Sequence, residues 1–130
     1  MPNAKIDQHR IHYHVCDGCA IVRPEGPCNS ETAQALGRLV NSPLIESKHL
    51  IVDLSRTDYI ETPGYRWLVR QLTELESAGK TLMVAGLPRS IERTFKLLKL
   101  DKSIPIAEDV SEALERVRGA DEPVPLGLAG

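Results

Sequence analysis

Side chains that can bind a metal ion or exchange electrons cluster near the N-terminus of the chain. They are His12, His14, Cys16 and Cys19, and imidazole and thiolate groups are common ligands of zinc. If this segment is extended, His12 and Cys16 lie roughly 13 Å apart, because a strand rises about 3.3 Å per residue. One ion could then contact at most His14, Cys16 and Cys19. We expect no metal site, since a solvated strand face explains the same residues.

The Asp17-Gly18 dipeptide between the two cysteines favours a tight β-hairpin turn of type I′. The flanking residues alternate in polarity, as they do in strands. One face of the hairpin is apolar and is predicted to pack on the core: Ile11, Tyr13, Val15, Ala20 and Val22. The other face carries the histidines and cysteines. With Cys28 the chain has three cysteines, and an odd number argues against a disulfide framework.

The hydroxyl of Thr62 stands at the start of a predicted helix, residues 62–78. Thr62 is expected at the N-cap, where its oxygen accepts a backbone N–H bond, and Pro63 at the first helical position. Thr62 is also a candidate phosphoacceptor. A phosphate there would meet the positive end of the helix dipole and add about two negative charges beside Glu61. A plain helix cap is the alternative.

The same helix carries the only tryptophan of the chain, Trp67. Apolar residues form one stripe along the helix, at spacings of three and four: Tyr65, Leu68, Val69, Leu72 and Leu75. Trp67 falls about 200° from Tyr65 at 100° per residue, on the opposite side, between Arg66 and Arg70. An exposed tryptophan flanked by arginines is typical of a protein-binding surface. The alternative is that a loop or another helix covers the indole.

The remaining pattern predicts one α/β domain with a small mixed sheet and helices packed largely on one face. After the hairpin we expect, in order, a helix at 30–41, strands at 48–54 and 81–86, a helix at 90–98, an edge strand at 104–106 and a helix at 110–117. Residues 1–8 are predicted to be an N-terminal arm, 9–118 the domain and 119–130 a flexible, Gly- and Pro-rich tail.

No pattern typical of an enzyme is found. The chain has neither the Gly-x-Ser-x-Gly setting of a nucleophilic serine nor a Gly-x-Gly-x-x-Gly nucleotide motif. Glu74 and Glu76 fit a solvated helix face, and His49 opens a strand, where a surface position is expected. We therefore predict a non-enzymatic protein without a cofactor.

The composition of the chain limits the kinds of partner that it can bind. The chain has 130 residues, of which 42% are hydrophobic and 26% charged, which suits one domain. Its formal net charge of −2 gives no bulk attraction to nucleic acid or to an anionic membrane. Charged residues interrupt every apolar stretch, and the N-terminus lacks the apolar core of a signal peptide. These features predict a cytoplasmic protein, without membrane insertion, that acts through a protein partner.

Four segments in a fixed order carry a further signal: Ala20-Ile21-Val22-Arg23-Pro24-Glu25-Gly26, the strand ending Val52-Asp53-Leu54-Ser55, the loop to Tyr59-Ile60, and the helix-start motif Glu61-Thr62-Pro63-Gly64. Over residues 10–116 they resemble the STAS domain family. That family includes anti-sigma factor antagonists and the cytoplasmic tails of sulfate transporters. The resemblance implies the same small mixed sheet, with helices largely on one face.

In the antagonist branch that this chain resembles, the helix-start motif is Asp-Ser-Ser-Gly. The resemblance implies that its second serine is phosphorylated by a partner that is both kinase and anti-sigma factor. Here that position is Pro63, which has no hydroxyl, and Thr62 is the only hydroxyl left in the motif. The switch is therefore expected to be lost or moved to Thr62. The predicted partner surface consists of Glu61, Pro63, Gly64, Arg66, Trp67 and Arg70.

The leading hypothesis is a signalling module that acts by partner switching in transcription regulation. Its partner would be an anti-sigma factor or a histidine-kinase-like ATPase. One alternative is the STAS subunit of a lipid-transport ABC complex. Another is a module that senses a nucleotide or similar anion at the Thr62 helix start. The sequence leaves the partner's identity and the oligomeric state, including a homodimer, open.

Overall fold

The computed structural model describes residues 3–6, 9–16, 18–45 and 48–121, which form one mixed sheet with helices on both faces. The strands are β1 (Asn3–Ile6), β2 (His9–Cys16), β3 (Cys19–Pro24), β4 (His49–Asp53), β5 (Leu82–Ala85) and β6 (Ile106–Ala107). The helices are α1 (Ser30–Val40), α2 (Thr62–Ser77), α3 (Arg89–Leu97) and α4 (Val110–Asp121), with a short 3-10 turn at Leu100–Lys102.

Consecutive strands are neighbours throughout the sheet, in the order β1-β2-β3-β4-β5-β6. The first two pairings are antiparallel and the last three are parallel, each parallel pair being joined through a helix. Cys16 faces Cys19 across the β2–β3 hairpin, as predicted, although Asp17 of the turn lies outside the described residues. Strand β1 was not predicted, because its four residues show no clear alternation of polarity.

Three helices cover one face of the sheet. The main core lies between α1, α2 and α3 and the residues of β2–β5 that point toward them. The predicted apolar face of the hairpin is confirmed, since Ile11, Ala20 and Val22 are fully buried in this core. Helix α3 contributes Phe95, which has no exposed surface and packs its ring 5.8 Å from that of Tyr65 on α2.

Helix α4 covers the other face, so the helices lie largely, but not all, on one side as predicted. Its buried Ala113 and Val117 pack against Cys19, Ile21 and a few further sheet residues: Ile51, Met83, Ala85 and Ala107. The hairpin face that carries Cys19 was expected to be solvated, and that expectation is wrong at its β3 half. Helix α4 runs to Asp121, past the predicted start of the tail, and residues 122–130 lie outside the described part.

The prediction of a surface position for His49 is wrong. The residue is only 2% exposed, because β4 has a neighbouring strand on each side and a helix layer on each face. The imidazole Nδ1 accepts a hydrogen bond from the backbone N–H of Thr81 at 3.0 Å. His49 therefore joins the start of β4 to the start of β5.

Phe95 and Leu97 give a direct test of which face of α3 carries stability. Phe95→Ala should lower the free energy of unfolding by about 3–5 kcal/mol, since it removes a fully buried ring. Leu97 is 76% exposed on the same helix, so Leu97→Ala should change the value by no more than about 0.5 kcal/mol. Urea unfolding measures both. Equal losses would show that α3 packs in a different orientation.

Candidate functional site

The loops after β3 and β4 run side by side and set where α2 begins. Cys28 and Ile60 form a parallel bridge between them. The N–H of Cys28 donates to the carbonyl of Tyr59 at 2.9 Å, and the N–H of Glu61 donates to the carbonyl of Cys28 at 2.9 Å. The β3–β4 pairing thus continues past the end of the sheet, at the carboxyl ends of the parallel strands.

Gly64 lets the first turn of α2 rest directly on this bridge. A Cβ at this position would lie 2.7 Å from Ile60 Cγ2 and 2.9 Å from both the carbonyl oxygen and the Sγ of Cys28. Two of these contacts are with groups that are themselves buried or hydrogen-bonded, so they have little room to move. The last residue of the helix-start motif is therefore glycine for a packing reason, not for its backbone angles.

Helix α2 begins one residue earlier than predicted. Glu61 occupies the N-cap with an extended backbone, and its carbonyl accepts from the N–H groups of Gly64 at 2.8 Å and Tyr65 at 3.2 Å. Thr62 and Pro63 are the first two helical residues, so the expected capping by the Thr62 hydroxyl is wrong. The Cys28–Ile60 bridge decides where the helix begins, because Cys28 holds the backbone of Glu61. The Thr62 side chain is left exposed.

This helix start is poorly equipped to bind an anion. Anion sites at helix N-termini depend on free backbone N–H groups. Here the Glu61 N–H and the Gly64 N–H are both used within the chain, and Pro63 has none. Among residues 61–64 only Thr62 retains an N–H without a partner in the described structure. The geometry therefore disfavours the nucleotide- or anion-sensing alternative.

Trp67 is not on the surface, and its predicted exposure is wrong. It is 5% exposed and belongs to the main core, with its indole Nε1 facing Gly37 of α1. Helix α1 covers the indole, which confirms the alternative that another helix buries Trp67. The helical wheel misplaces Trp67 because α2 has a helix on each side as well as the sheet beneath it. Its buried arc is therefore wider than one apolar stripe.

Five exposed residues at the start of α2 form a continuous surface, which we call the α2 ridge: Glu61, Thr62, Arg66, Val69 and Arg70. Val69 was expected in the core but is 43% exposed. Of the predicted interface, Glu61, Arg66 and Arg70 lie on the ridge beside Thr62. Pro63 is half-buried, and Gly64 and Trp67 are buried. The sequence did not identify Val69 as a surface residue, because an apolar side chain at this position also fits the predicted buried stripe.

The absence of a metal site stays a prediction. His12 Nε2 lies 3.3 Å from Glu25 Oε2, and Cys19 is buried under α4. Within the described ranges no three His, Cys, Asp or Glu side chains are grouped so that they could hold an ion.

Residues 10–113 match the profile of the STAS domain family. The chain belongs to this family. It is 25% identical over 108 residues to a Thermotoga maritima protein provisionally named an anti-sigma factor antagonist, a match that covers 82% of this chain and 96% of the relative.

Two crystal structures of similar STAS proteins share the fold. One is a provisionally named anti-sigma factor antagonist from Thermotoga maritima, with a TM-score of 0.74 and 25% identity, covering 83% of this chain and 94% of the other. The second is an anti-sigma factor antagonist from Mycobacterium paratuberculosis, with a TM-score of 0.73 and 25% identity, covering 83% and 92%. The fold predicted from the sequence is confirmed.

No helix in the described part of this STAS protein is long and apolar enough to cross a membrane.

Cys28 is a structural thiol, not a reactive one. It is 2% exposed, and burial together with the nearby carboxylate of Glu61 raises its pKa from 9.0 to about 11. A thiolate is the nucleophilic form of cysteine, so a raised pKa and a closed environment both suppress its chemistry.

Gly64→Ala should lower the free energy of unfolding by about 1–3 kcal/mol, because the added methyl group overlaps the Cys28–Ile60 bridge. Gly119→Ala on α4 is the matched control, since nothing lies within 4 Å of a Cβ there and alanine favours a helix. Urea unfolding of both variants measures the difference. An unchanged or more stable Gly64→Ala protein would contradict the close packing of α2 on the bridge.

The stability of the domain should fall between pH 9 and pH 11 through Cys28. In the unfolded chain the thiol loses its proton near its ordinary pKa of 9.0, whereas in the folded chain it does so only near 11. The folded state binds more protons in this window, so the free energy of unfolding should drop by about 2 kcal/mol as pH rises through it. Cys28→Ala should show a shallower decline than the wild type over this window. Parallel slopes in the two proteins would refute this role.

Proposed function

We propose that this STAS protein is a non-enzymatic regulatory module that acts as an anti-sigma factor antagonist. Its α2 ridge docks on an anti-sigma factor or a histidine-kinase-like ATPase. The observation that carries the proposal is the exposed hydroxyl of Thr62 in the middle of charged and apolar surface residues, at a helix start whose position is fixed by the Cys28–Ile60 bridge. A fixed surface with one modifiable group is what a partner switch requires.

The composition of the α2 ridge suits a protein partner. Val69 exposes an apolar side chain between the cations Arg66 and Arg70. Arginine combines a charge with a planar group that packs and donates several hydrogen bonds, and it is enriched at protein interfaces. The similarity to this chain covers 96% of one relative named as an antagonist and 92% of another. That coverage supports the same class of partner.

The topology gives no support to an enzyme. In open α/β sheets, substrates and cofactors bind where the strand order reverses and two neighbouring helices diverge to opposite faces. Here β3, β4, β5 and β6 follow one another without reversal, and α1–α3 stay on one face. The carboxyl ends of the strands therefore offer a closed surface of loops and the start of α2.

Thr62 is the residue through which the proposed switch operates. It precedes Arg66 by four positions, so the two side chains lie on the same side of the helix, one turn apart. A phosphate on Thr62 would carry about two negative charges, and it would compete for the Arg66 cation and repel an acidic partner surface. Pro63 cannot serve, because it has no hydroxyl.

Affinity capture from the native cell, followed by identification of the partner and phosphosite mapping, tests the proposal. We expect the wild-type protein and Thr62→Val to retain an anti-sigma factor or a kinase-like ATPase. Thr62→Glu should lose at least about 80% of that partner, because a carboxylate adds a negative charge to the ridge one turn from Arg66. The purified partner with ATP should phosphorylate Thr62 of the wild-type protein.

Ser77→Glu is the matched control. Ser77 is exposed on the same helix, about two turns beyond Arg70 and outside the ridge. This variant should keep the partner. Equal loss with Thr62→Glu and Ser77→Glu would contradict a switch at Thr62. Capture of a permease and its ATPase in place of an anti-sigma factor would overturn the antagonist assignment in favour of a transport complex.

A further inference from the structure

A groove runs between α1 and α2, along one side of the α2 ridge, with which it shares Arg66 and Arg70. Its upper part has a volume of about 390 Å³ and is lined by residues of both helices, with Trp67 and Gly37 at the bottom. A lower part of about 220 Å³ continues from it past Gln71 toward Lys48 and Lys80. Along α2 the groove extends from Pro63 to Ala78, roughly 22 Å at 1.5 Å per residue.

One buried donor at the bottom of this groove has no partner. The indole N–H of Trp67 is buried and makes no hydrogen bond in the described chain. Beside it, Gln71 lines both parts of the groove, and its side-chain amide makes no hydrogen bond with another described residue. Most buried polar groups in proteins are paired, so the unpaired indole N–H indicates a ligand that supplies an acceptor.

The rim of the groove is strongly cationic. Arg66 and Arg70 border the upper part, Lys48 and Lys80 border the lower part, and Glu74 is the one acidic residue that lines either part. None of these four cations forms an ion pair with another described residue. Four positive charges against one negative charge, in a protein whose formal net charge is −2, form a local field that favours an acidic ligand.

We propose that the α1–α2 groove binds an extended acidic segment of a protein partner. An extended segment fits, because its backbone carbonyls are free to accept hydrogen bonds from the Trp67 indole and the Gln71 amide, whereas those of a helix are already used. Six or seven extended residues span the length of the groove at about 3.3 Å each. Carboxylates on that segment pair with Arg66 and Arg70 on one side and with the lysines on the other.

Gly37 makes the proposal sharply testable. It is the residue of α1 that lies over the Trp67 indole, and a Cβ there would sit 3.7 Å from Nε1, which is ordinary contact without overlap. Gly37→Ala should therefore fold at least as well as the wild type, since alanine favours a helix, while its methyl group blocks access to the indole N–H. A variant that blocks a site without destabilising the protein separates binding from folding.

The probe is an eight-residue oligoglutamate peptide, titrated into the full chain at low ionic strength. Trp67 is the only tryptophan and lies at the bottom of the groove, so its fluorescence reports occupancy directly. We expect saturable binding. Gly37→Ala should weaken it about fivefold, which is the loss of one hydrogen bond. Arg66→Gln with Arg70→Gln should weaken it about tenfold, the loss of two exposed charge pairs.

Matched controls change the same residue types on the opposite face of the sheet. Gly119→Ala, and Arg116→Gln with Arg118→Gln, alter α4 and should leave the peptide affinity unchanged. Binding that is absent at low salt, or equal in all variants, would overturn the proposal. Equal binding of octaglutamine would also overturn it, because the charges would then have no part. Competition by free glutamate at the same carboxylate concentration would indicate a small acid and not a segment.

This inference rests on the proposed function only in that the acidic segment belongs to a protein partner. The two can fail separately. Oligoglutamate binding is measured on the purified chain and is tested by Gly37→Ala at the bottom of the groove, whereas loss of the captured partner is tested by Thr62→Glu on the α2 ridge. A groove that binds the peptide in a protein that captures no anti-sigma factor would remove the proposed function and keep the groove.

Discussion

The packing of the first turn of α2 on the Cys28–Ile60 bridge is the contact on which the functional surface depends. The bridge joins two loops that are 32 residues apart in the sequence, and it holds Glu61 by its backbone. Gly64 permits the approach, and the closed environment raises the pKa of Cys28. The exposed residues of the α2 ridge take their positions from this contact, in which only Glu61 takes part, through its backbone.

The start of α2 and its side toward α1 have different roles. Its start presents a modifiable hydroxyl on a surface that the loops hold in place. Its side toward α1 encloses a tryptophan whose indole N–H lacks an acceptor. A partner that contacted both would recognise the state of Thr62 and the charge of the groove together. Specificity would then come from the two features together and not from affinity at either one.

Local patterns in the sequence predicted the fold well. Buried runs located β4 and β5, the Asp-Gly dipeptide located the hairpin, and a period of 3.6 located the helices. These signals succeed because each element shows its own buried face. Predictions failed where burial depends on a neighbour that is distant in sequence. Trp67 is covered by α1, His49 by the flanking strands and Cys19 by α4, and no local pattern contains those helices or strands.

The site was only partly predictable for the same reason. The motif Glu61-Thr62-Pro63-Gly64 located the helix start to within one residue, and Arg66 and Arg70 are on the surface as expected. The cap moved to Glu61 because a backbone bond to Cys28 decides it, and nothing in the sequence links those two residues. The groove could not be predicted from the sequence either, since it forms only where α1 and α2 pack together.

The strictly consecutive order of the strands has a consequence for how the chain folds. Each strand pairs with one that has already left the ribosome, beginning with β1 and β2, so the sheet can grow in the direction of synthesis. No strand must wait for a later one to be inserted between two others. Only α4, on the far face, must wait for most of the sheet before it can be buried.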